Sequence, residues 1–386
     1  MCGRGETVEP NQEPENLSDI LEDTPSPERP GLIHRIFRNR FGHWRAGWRI
    51  LVYSIAVFVV QKAISTPLKM LLPGIRESDF LSWTHNLIYV VANLALLLSG
   101  LGVLRFFDRR PPALLGLGFS RGWLRELVIG LVAGLVATGL VVLVLVVTGS
   151  VSLALSPDLR SSLGAWPFFL VIFTLAAAVE EFIFRGYPLQ AFAEGSRRWI
   201  AGVLLCLPFT LGHAGNPDVT IIGIANIFLA SIILVILYFQ TRRLWLPISI
   251  HLSWNLAQSW LWGFDVSGIK IENQLFVTTP TGSDLLTGGE FGLEGSILST
   301  VLFIAVVVWF LARPVLRPAA EVAALWARFP AGFGIDPELR TEADAMPKAE
   351  PGSGGEGEQG SDGNGGIRGG QPPSRIDEPN VPDRDR

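Results

Sequence analysis

Eight apolar runs, each near the length of a bilayer crossing, divide this chain and leave it very few folds to choose from. No water in hydrocarbon satisfies backbone N–H and C=O groups, so a run of about 20 apolar residues is compatible with an α-helix and little else. The runs fall at approximately 48–72, 84–107, 124–149, 166–192, 198–215, 219–240, 245–262 and 296–313. The first is the weakest, because Arg49, Lys62 and Lys69 lie in or beside it, and the third, from Leu127 to Val147, holds no charge. Tryptophans mark many of the ends, among them Trp48, Trp83, Trp123, Trp166, Trp199, Trp245 and Trp262, as in an interfacial aromatic belt. The expected fold class is therefore an all-α polytopic membrane protein of about eight transmembrane helices with disordered cytoplasmic termini. A charged fraction of only 17% against 49% hydrophobic residues argues the same way and excludes an ordinary soluble domain.

The net charge of −4 hides an uneven distribution. Residues 1–46 read as a disordered leader, acidic and Pro-rich at first and then basic, with six arginines over 29–49. Residues 47–318 read as the transmembrane helical domain, and 319–386 as a cytoplasmic tail, mostly disordered and rich in Gly, Pro and acids. The two cysteines, Cys2 and Cys206, offer neither a disulfide framework nor a thiolate metal site. No cleavable signal peptide is expected, since the first apolar run begins near residue 47. The arginine-rich 29–49 stretch reads as a topology signal in contact with anionic membrane lipids, not as a nucleic-acid site.

Loop charges give an orientation. Arg105, Arg109, Arg110, Arg121 and Arg125 flank one connection, and Arg197, Arg198, Arg242, Arg243, Arg313 and Arg317 mark others on the same side. The alternate loops hold only Arg76, Arg160 and Lys270. The positive-inside rule then places both termini in the cytoplasm of a multi-pass integral membrane protein, in the plasma membrane if the source is bacterial. The 263–295 connection, with Asp265, Glu272, Asp284, Glu290 and Glu294, is expected to be external and polar.

Within this apolar frame a few polar groups stand out. Glu180 and Glu181 interrupt the fourth run, His213 lies in the fifth, and His251 and Asn255 lie in the seventh. A carboxylate at bilayer depth costs several kcal/mol, about +2.5–3.5 on insertion scales and more in simulations, so such residues rarely lack a role. Glu181 and Arg185 are four apart, share a helix face and are expected to form a structural ion pair. Glu180 faces elsewhere without a basic partner at that spacing and is left for proton chemistry. His251 and Asn255 are also four apart, and Phe209 lies one turn before His213, where it can wall the site. Depth along the helices is less tidy. At 1.5 Å per residue, Glu180 and His213 lie about 18 and 22 Å from their helix ends, but His251 only about 9 Å.

An acid, two imidazoles and a carboxamide suit hydrolysis of a peptide bond. Glu180, helped by His213, would take a proton from water, and His251 with Asn255 would donate hydrogen bonds to the developing oxyanion. A metal version would use Glu180, His213 and His251 as zinc ligands, but no HExxH pair is present and the metal-free version is preferred. No cofactor is expected, with zinc as the alternative.

The three motifs Glu180-Glu181-x-x-x-Arg185, Phe209-x-x-x-His213 and His251-x-x-x-Asn255, in that order on three apolar helices, resemble those of the CPBP family. This family joins CAAX prenyl endopeptidases of the Ras-converting type with bacteriocin-processing and self-immunity membrane proteins. The resemblance covers about 114–262, beginning near Leu115-Gly-Leu117, and includes Gly186 after the arginine. It implies a helical membrane fold and a glutamate-dependent endopeptidase acting on a membrane-associated protein or peptide. Glu180, His213, His251 and Asn255 would be its catalytic residues, with Glu181, Arg185 and Phe209 in support. The competing reading is a non-proteolytic immunity or scaffold protein that binds a peptide in the same pocket.

Overall fold

The computed structural model describes residues 31, 36–38, 44–71, 83–195, 197–313 and 315–327. The other residues, 1–30, 72–82 and the tail beyond 327 among them, and with them Cys2 and Arg76, lie outside the described residues. The protein is mostly helical. Helices α1 (Ala46–Leu71) and α2 (Trp83–Gly102) precede α3 (Trp123–Val147), and a short strand β1 (Val151–Leu155) leads into α4 (Leu159–Glu181). The chain then runs through α5 (Tyr187–Gly195), α6 (Arg198–Gly212), α7 (Ile221–Thr241) and α8 (Trp245–Leu256). Strand β2 (Phe276–Pro280), α9 (Ile297–Ala312) and α10 (Ala320–Ala327) complete the described elements used below. Three of the helices continue or pause through π-helical turns, at Val103–Phe107, Phe182–Gly186 and Ala257–Leu261.

All eight expected runs are helical, but their lengths differ. Among the described residues five stretches are long and apolar enough to cross a membrane, at Ala46–Ile64, Val90–Phe107, Trp123–Val147, Leu159–Ala193 and Ile221–Thr241. Arg198–Gly212 and Ile297–Ala312 are shorter apolar helices, and α8 is only 12 residues before its π turn. The chain is an integral membrane protein. Its outer surface agrees: Val128, Val132, Leu135, Val136, Leu140 and Leu143 of α3 are all exposed, an apolar area that a water-soluble monomer does not carry.

The opposite face of α3 builds the core. Gly130 and Gly134 are buried there, spaced as a small-xxx-small pair. A Cβ at Gly130 would fall 1.9 Å from Ser249 Oγ, and one at Gly134 would fall 2.7 Å from Ser253 Cβ. Two glycines on α3 and two serines on α8 therefore let the backbones approach closely. Ser253 Oγ uses that closeness to donate to the Leu131 carbonyl at 2.5 Å. This contact fixes the rotation of α8, and so sets where His251 and Asn255 face.

Both ends of the helix bundle are tied by polar contacts. At one end Arg243, 1% exposed, donates to Glu126 Oε1 at 3.1 Å, Ser120 Oγ at 2.7 Å and the Arg121 carbonyl at 2.9 Å. Arg49 pairs with Asp108, its Nε donating at 2.9 Å. At the other end β1 and β2 pair antiparallel, with Val151 opposite Pro280 and Leu155 opposite Phe276. The 263–295 connection is less uniformly polar than its composition suggests. Phe264, Val266, Ile271, Phe291 and Leu293 are buried, so the segment packs onto the helix ends. Its acids hid this: the apolar residues are dispersed among them, with no helical or strand period to reveal a packed face.

Candidate active site

Helix α4 ends at the two glutamates and passes directly into the π turn Phe182–Gly186. A π turn adds a residue to the helical repeat and re-aims the side chains around it, a feature frequent at functional sites. Glu181 is fully buried and Arg185 1% exposed. Arg185 Nη1 donates to Glu181 Oε1 at 3.0 Å, as the four-residue spacing predicts. Arg185 Nη2 donates to Ser231 Oγ at 2.5 Å and to the Ser231 carbonyl at 3.2 Å, and the guanidinium lies 4.3 Å from the centroid of the Phe209 ring. The cation is thus held by α7 and α6 as well as by its own helix.

Glu181 has a second partner that spacing could not reveal. Its Oε1 also lies 3.0 Å from His251 Nδ1. A carboxylate oxygen accepts, so Nδ1 carries the proton and Nε2 faces the other way. That nitrogen is 3.8 Å from Glu180 Oε2, beyond hydrogen-bond length. Glu180 Oε2 is buried without a hydrogen-bond partner among the described residues, although a third of the side chain remains exposed. The two glutamates therefore flank one imidazole, one bonded to it and the other open.

His213 lies just past the last residue of α6, as its C-cap, and not within the helix. Its Nδ1 is 2.9 Å from the Phe209 carbonyl oxygen, which again fixes Nδ1 as donor and leaves Nε2 with its lone pair. The Phe209 ring neighbours both imidazoles, with its centroid 5.0 Å from that of His213 and 6.3 Å from that of His251. Asn255 sits one turn along α8 from His251, 9% exposed, and its backbone carbonyl accepts from Ser259 Oγ at 2.7 Å. Glu180, Phe209, His213, His251 and Asn255 all line one cavity of about 430 Å³.

Two groups on the cavity wall were not anticipated. Asn216, just beyond α6, donates from Nδ2 to the Ser267 carbonyl at 3.0 Å. Glu294 comes from the connection before α9, and burial pushes its carboxyl above the usual carboxylate range. Nothing in the sequence separated it from the other acids of that connection.

Among the described residues no group of three or more His, Cys, Asp or Glu side chains is arranged to hold a metal ion. Glu180, His213 and His251 share the cavity but do not converge as a ligand set, so the metalloendopeptidase-like expectation finds no support.

The structure defines a polytopic membrane protein with acid and imidazole groups lining a cavity among its helices. Within that class, residues 162–257 match the family model described as Rce1-like, type II CAAX prenyl endopeptidase Rce1-like. The match is confined to this segment and supports a likeness to the CPBP family of intramembrane proteases. The match takes in Glu180, Glu181, Arg185, Phe209, His213, His251 and Asn255 and ends before the connection that carries Glu294. No curated protein and no solved structure matches the chain.

Proposed function

We propose that this protein is a glutamate-dependent endopeptidase that hydrolyses a peptide bond of a membrane-associated protein or peptide. The observation that carries the reading is Glu180: a cavity-facing carboxylate, one oxygen buried and unbonded, 3.8 Å from an imidazole that Glu181 orients. The Rce1-like segment supports peptidase chemistry at the level of the family.

In this reading Glu180 accepts a proton from a cavity water as its oxygen attacks the carbonyl carbon. The bare Nε2 of His213 holds that water by accepting its other hydrogen. Charge develops on the carbonyl oxygen, and the Asn255 amide together with the Nε2–H of a protonated His251 donates to it. Glu181 steadies that imidazolium through Nδ1, the role a buried carboxylate plays toward a catalytic histidine elsewhere. On collapse of the tetrahedral intermediate, the proton held by Glu180 passes to the leaving amine. Ile172, Phe173, Ile250 and Trp254 give the cavity apolar walls, and a lowered local dielectric strengthens each of these hydrogen bonds.

The test is cleavage of membrane-anchored peptides by purified protein in proteoliposomes, comparing wild type with Glu180→Gln and His213→Ala. General base removal predicts a loss of about 10²-fold or more. Equal cleavage by all three proteins would reject the reading.

A further inference from the structure

The connection between α8 and α9 closes over the cavity. Asn216 holds the Ser267 carbonyl, and Asn226 Nδ2 donates to the carbonyls of Glu294 at 2.7 Å and Ser296 at 2.9 Å. Thr300 Oγ1 completes that amide by donating to Asn226 Oδ1 at 2.7 Å. Gly268 adopts φ +80°, where a Cβ would fall 1.9 Å from the Pro217 carbonyl oxygen. Phe291, fully buried, packs in one cluster with Phe209 and Ile227. The segment is a fixed wall, joined to the helices that carry the site.

That wall has a definite chemistry. Val266, Ile269 and Ile271 present an aliphatic surface to the cavity, and Glu294 stands beside it. Ser267 donates both its N–H and its hydroxyl to Glu294 Oε2, each at 2.7 Å. The other oxygen, Oε1, has no hydrogen bond among the described residues, although the side chain is more than nine-tenths buried. The lining holds Glu180 and Glu294 but no lysine or arginine. A buried carboxylate with no lysine or arginine beside it is costly, and the cost is relieved when a permanently charged partner fills the site. An aliphatic surface ending at an oriented carboxylate fits an alkyl stem with a cationic head.

We propose that Glu294 is the specificity-determining residue of a subsite that receives a lysine or arginine side chain of the substrate. This rests on the endopeptidase reading above and names the substrate feature it selects. The stem lies along Val266, Ile269 and Ile271, and the head donates to Glu294 Oε1. Ser267 holds the carboxylate so that this oxygen is the one presented.

The experiment uses full-length protein in proteoliposomes and matched membrane-anchored peptides with lysine or norleucine at each position flanking the cleaved bond. Norleucine keeps the aliphatic stem and removes the ammonium. At one position the lysine peptide is expected to exceed the norleucine peptide in kcat/KM by roughly tenfold or more, the scale of a charge-assisted hydrogen bond. In Glu294→Gln, which keeps an oxygen for Ser267, that ratio falls close to one. Equal turnover of the two peptides by wild type at every position overturns the proposal. So does a lysine preference that persists in Glu294→Gln, or a variant that slows both peptides by the same factor. Failure of wild type to cleave any peptide rejects the endopeptidase reading, and the subsite is then judged by ligand-induced thermal shifts. Hexylammonium should stabilise wild type more than hexanol and lose that advantage in Glu294→Gln; identical shifts in wild type overturn the subsite.

Discussion

Glu181 Oε1 accepts from both Arg185 Nη1 and His251 Nδ1, each at 3.0 Å, so one carboxylate oxygen joins the ion pair to the imidazole of the site. An ion pair that spacing alone marks as structural is thereby also the device that orients His251. Stability and chemistry share an atom. The buried carboxylate tolerates its position because a cation and an imidazole N–H converge on it.

Removing the cation tests that sharing. Arg185→Ala leaves Glu181 buried beside His251 without its charge partner, and breaking a buried pair costs about 3–5 kcal/mol. The variant is expected to melt well below wild type in detergent and to lose cleavage. Glu181→Gln keeps an acceptor for His251 and removes the charge, so it should fold better than Arg185→Ala and still cleave more slowly than wild type. Thermal unfolding and turnover measured on the same preparations separate the two effects. Wild-type melting by Arg185→Ala would contradict the shared role.

The approach of α3 and α8 is a steric requirement. A Cβ at Gly134 would lie 2.7 Å from Ser253 Cβ and 2.8 Å from the Ile250 carbonyl oxygen, which is backbone and cannot swing aside. Overpacking of this kind costs about 1–3 kcal/mol. Gly134→Leu should therefore lower the melting temperature and reduce turnover by displacing His251 and Asn255. Gly164, where an added Cβ would meet nothing within 4 Å, is the control; Gly164→Ala should hold or slightly raise the melting temperature, since alanine is the better helix former, and leave turnover unchanged.

Metal dependence follows from the proposed chemistry. With Glu180 as the general base, dialysis against a strong chelator should leave cleavage unchanged, and added zinc should not raise it. Activity lost to chelator and restored by zinc would replace the glutamate mechanism by a metal-assisted one.

The pH dependence of the proposed lysine preference has a defined sign. Burial raises the Glu294 carboxyl above the usual carboxylate range, while the Ser267 hydroxyl and N–H and the facing His213 and His251 oppose that rise. Glu294 is thus charged, and selects lysine, above its raised pKa, and the preference fades as pH falls through it. The lysine-to-norleucine ratio is expected to fall toward one at mildly acidic pH in wild type and to stay flat in Glu294→Gln. A ratio that rises on acidification would contradict the assignment.

The fold class was legible because bilayer length and hydropathy allow only helices, and all eight apolar runs are helical. Their lengths were not legible to the residue. The run at 198–215 ends three residues early, so His213 is a cap residue, and α8 passes into a π turn after Leu256. Arg243, a loop charge by sequence, is buried against Glu126, the Ser120 hydroxyl and the Arg121 carbonyl, because local hydropathy does not distinguish a solvated loop from a packed one. Glu181 with Arg185 was readable from i,i+4 spacing, whereas Glu181 with His251 joins positions 70 apart and leaves no local trace. Glu294 was hidden for the same reason: its meaning depends on a return of the chain that composition does not announce.

Peptide cleavage by Glu180→Gln is the most direct measurement of the central claim. The substitution keeps size and hydrogen-bonding capacity and removes only the ability to accept a proton as a carboxylate. A folded protein with wild-type melting behaviour is expected, with turnover lower by about 10²-fold or more. Turnover equal to wild type would show that the proton leaves the attacking water by another route, and would contradict the role of Glu180 as general base.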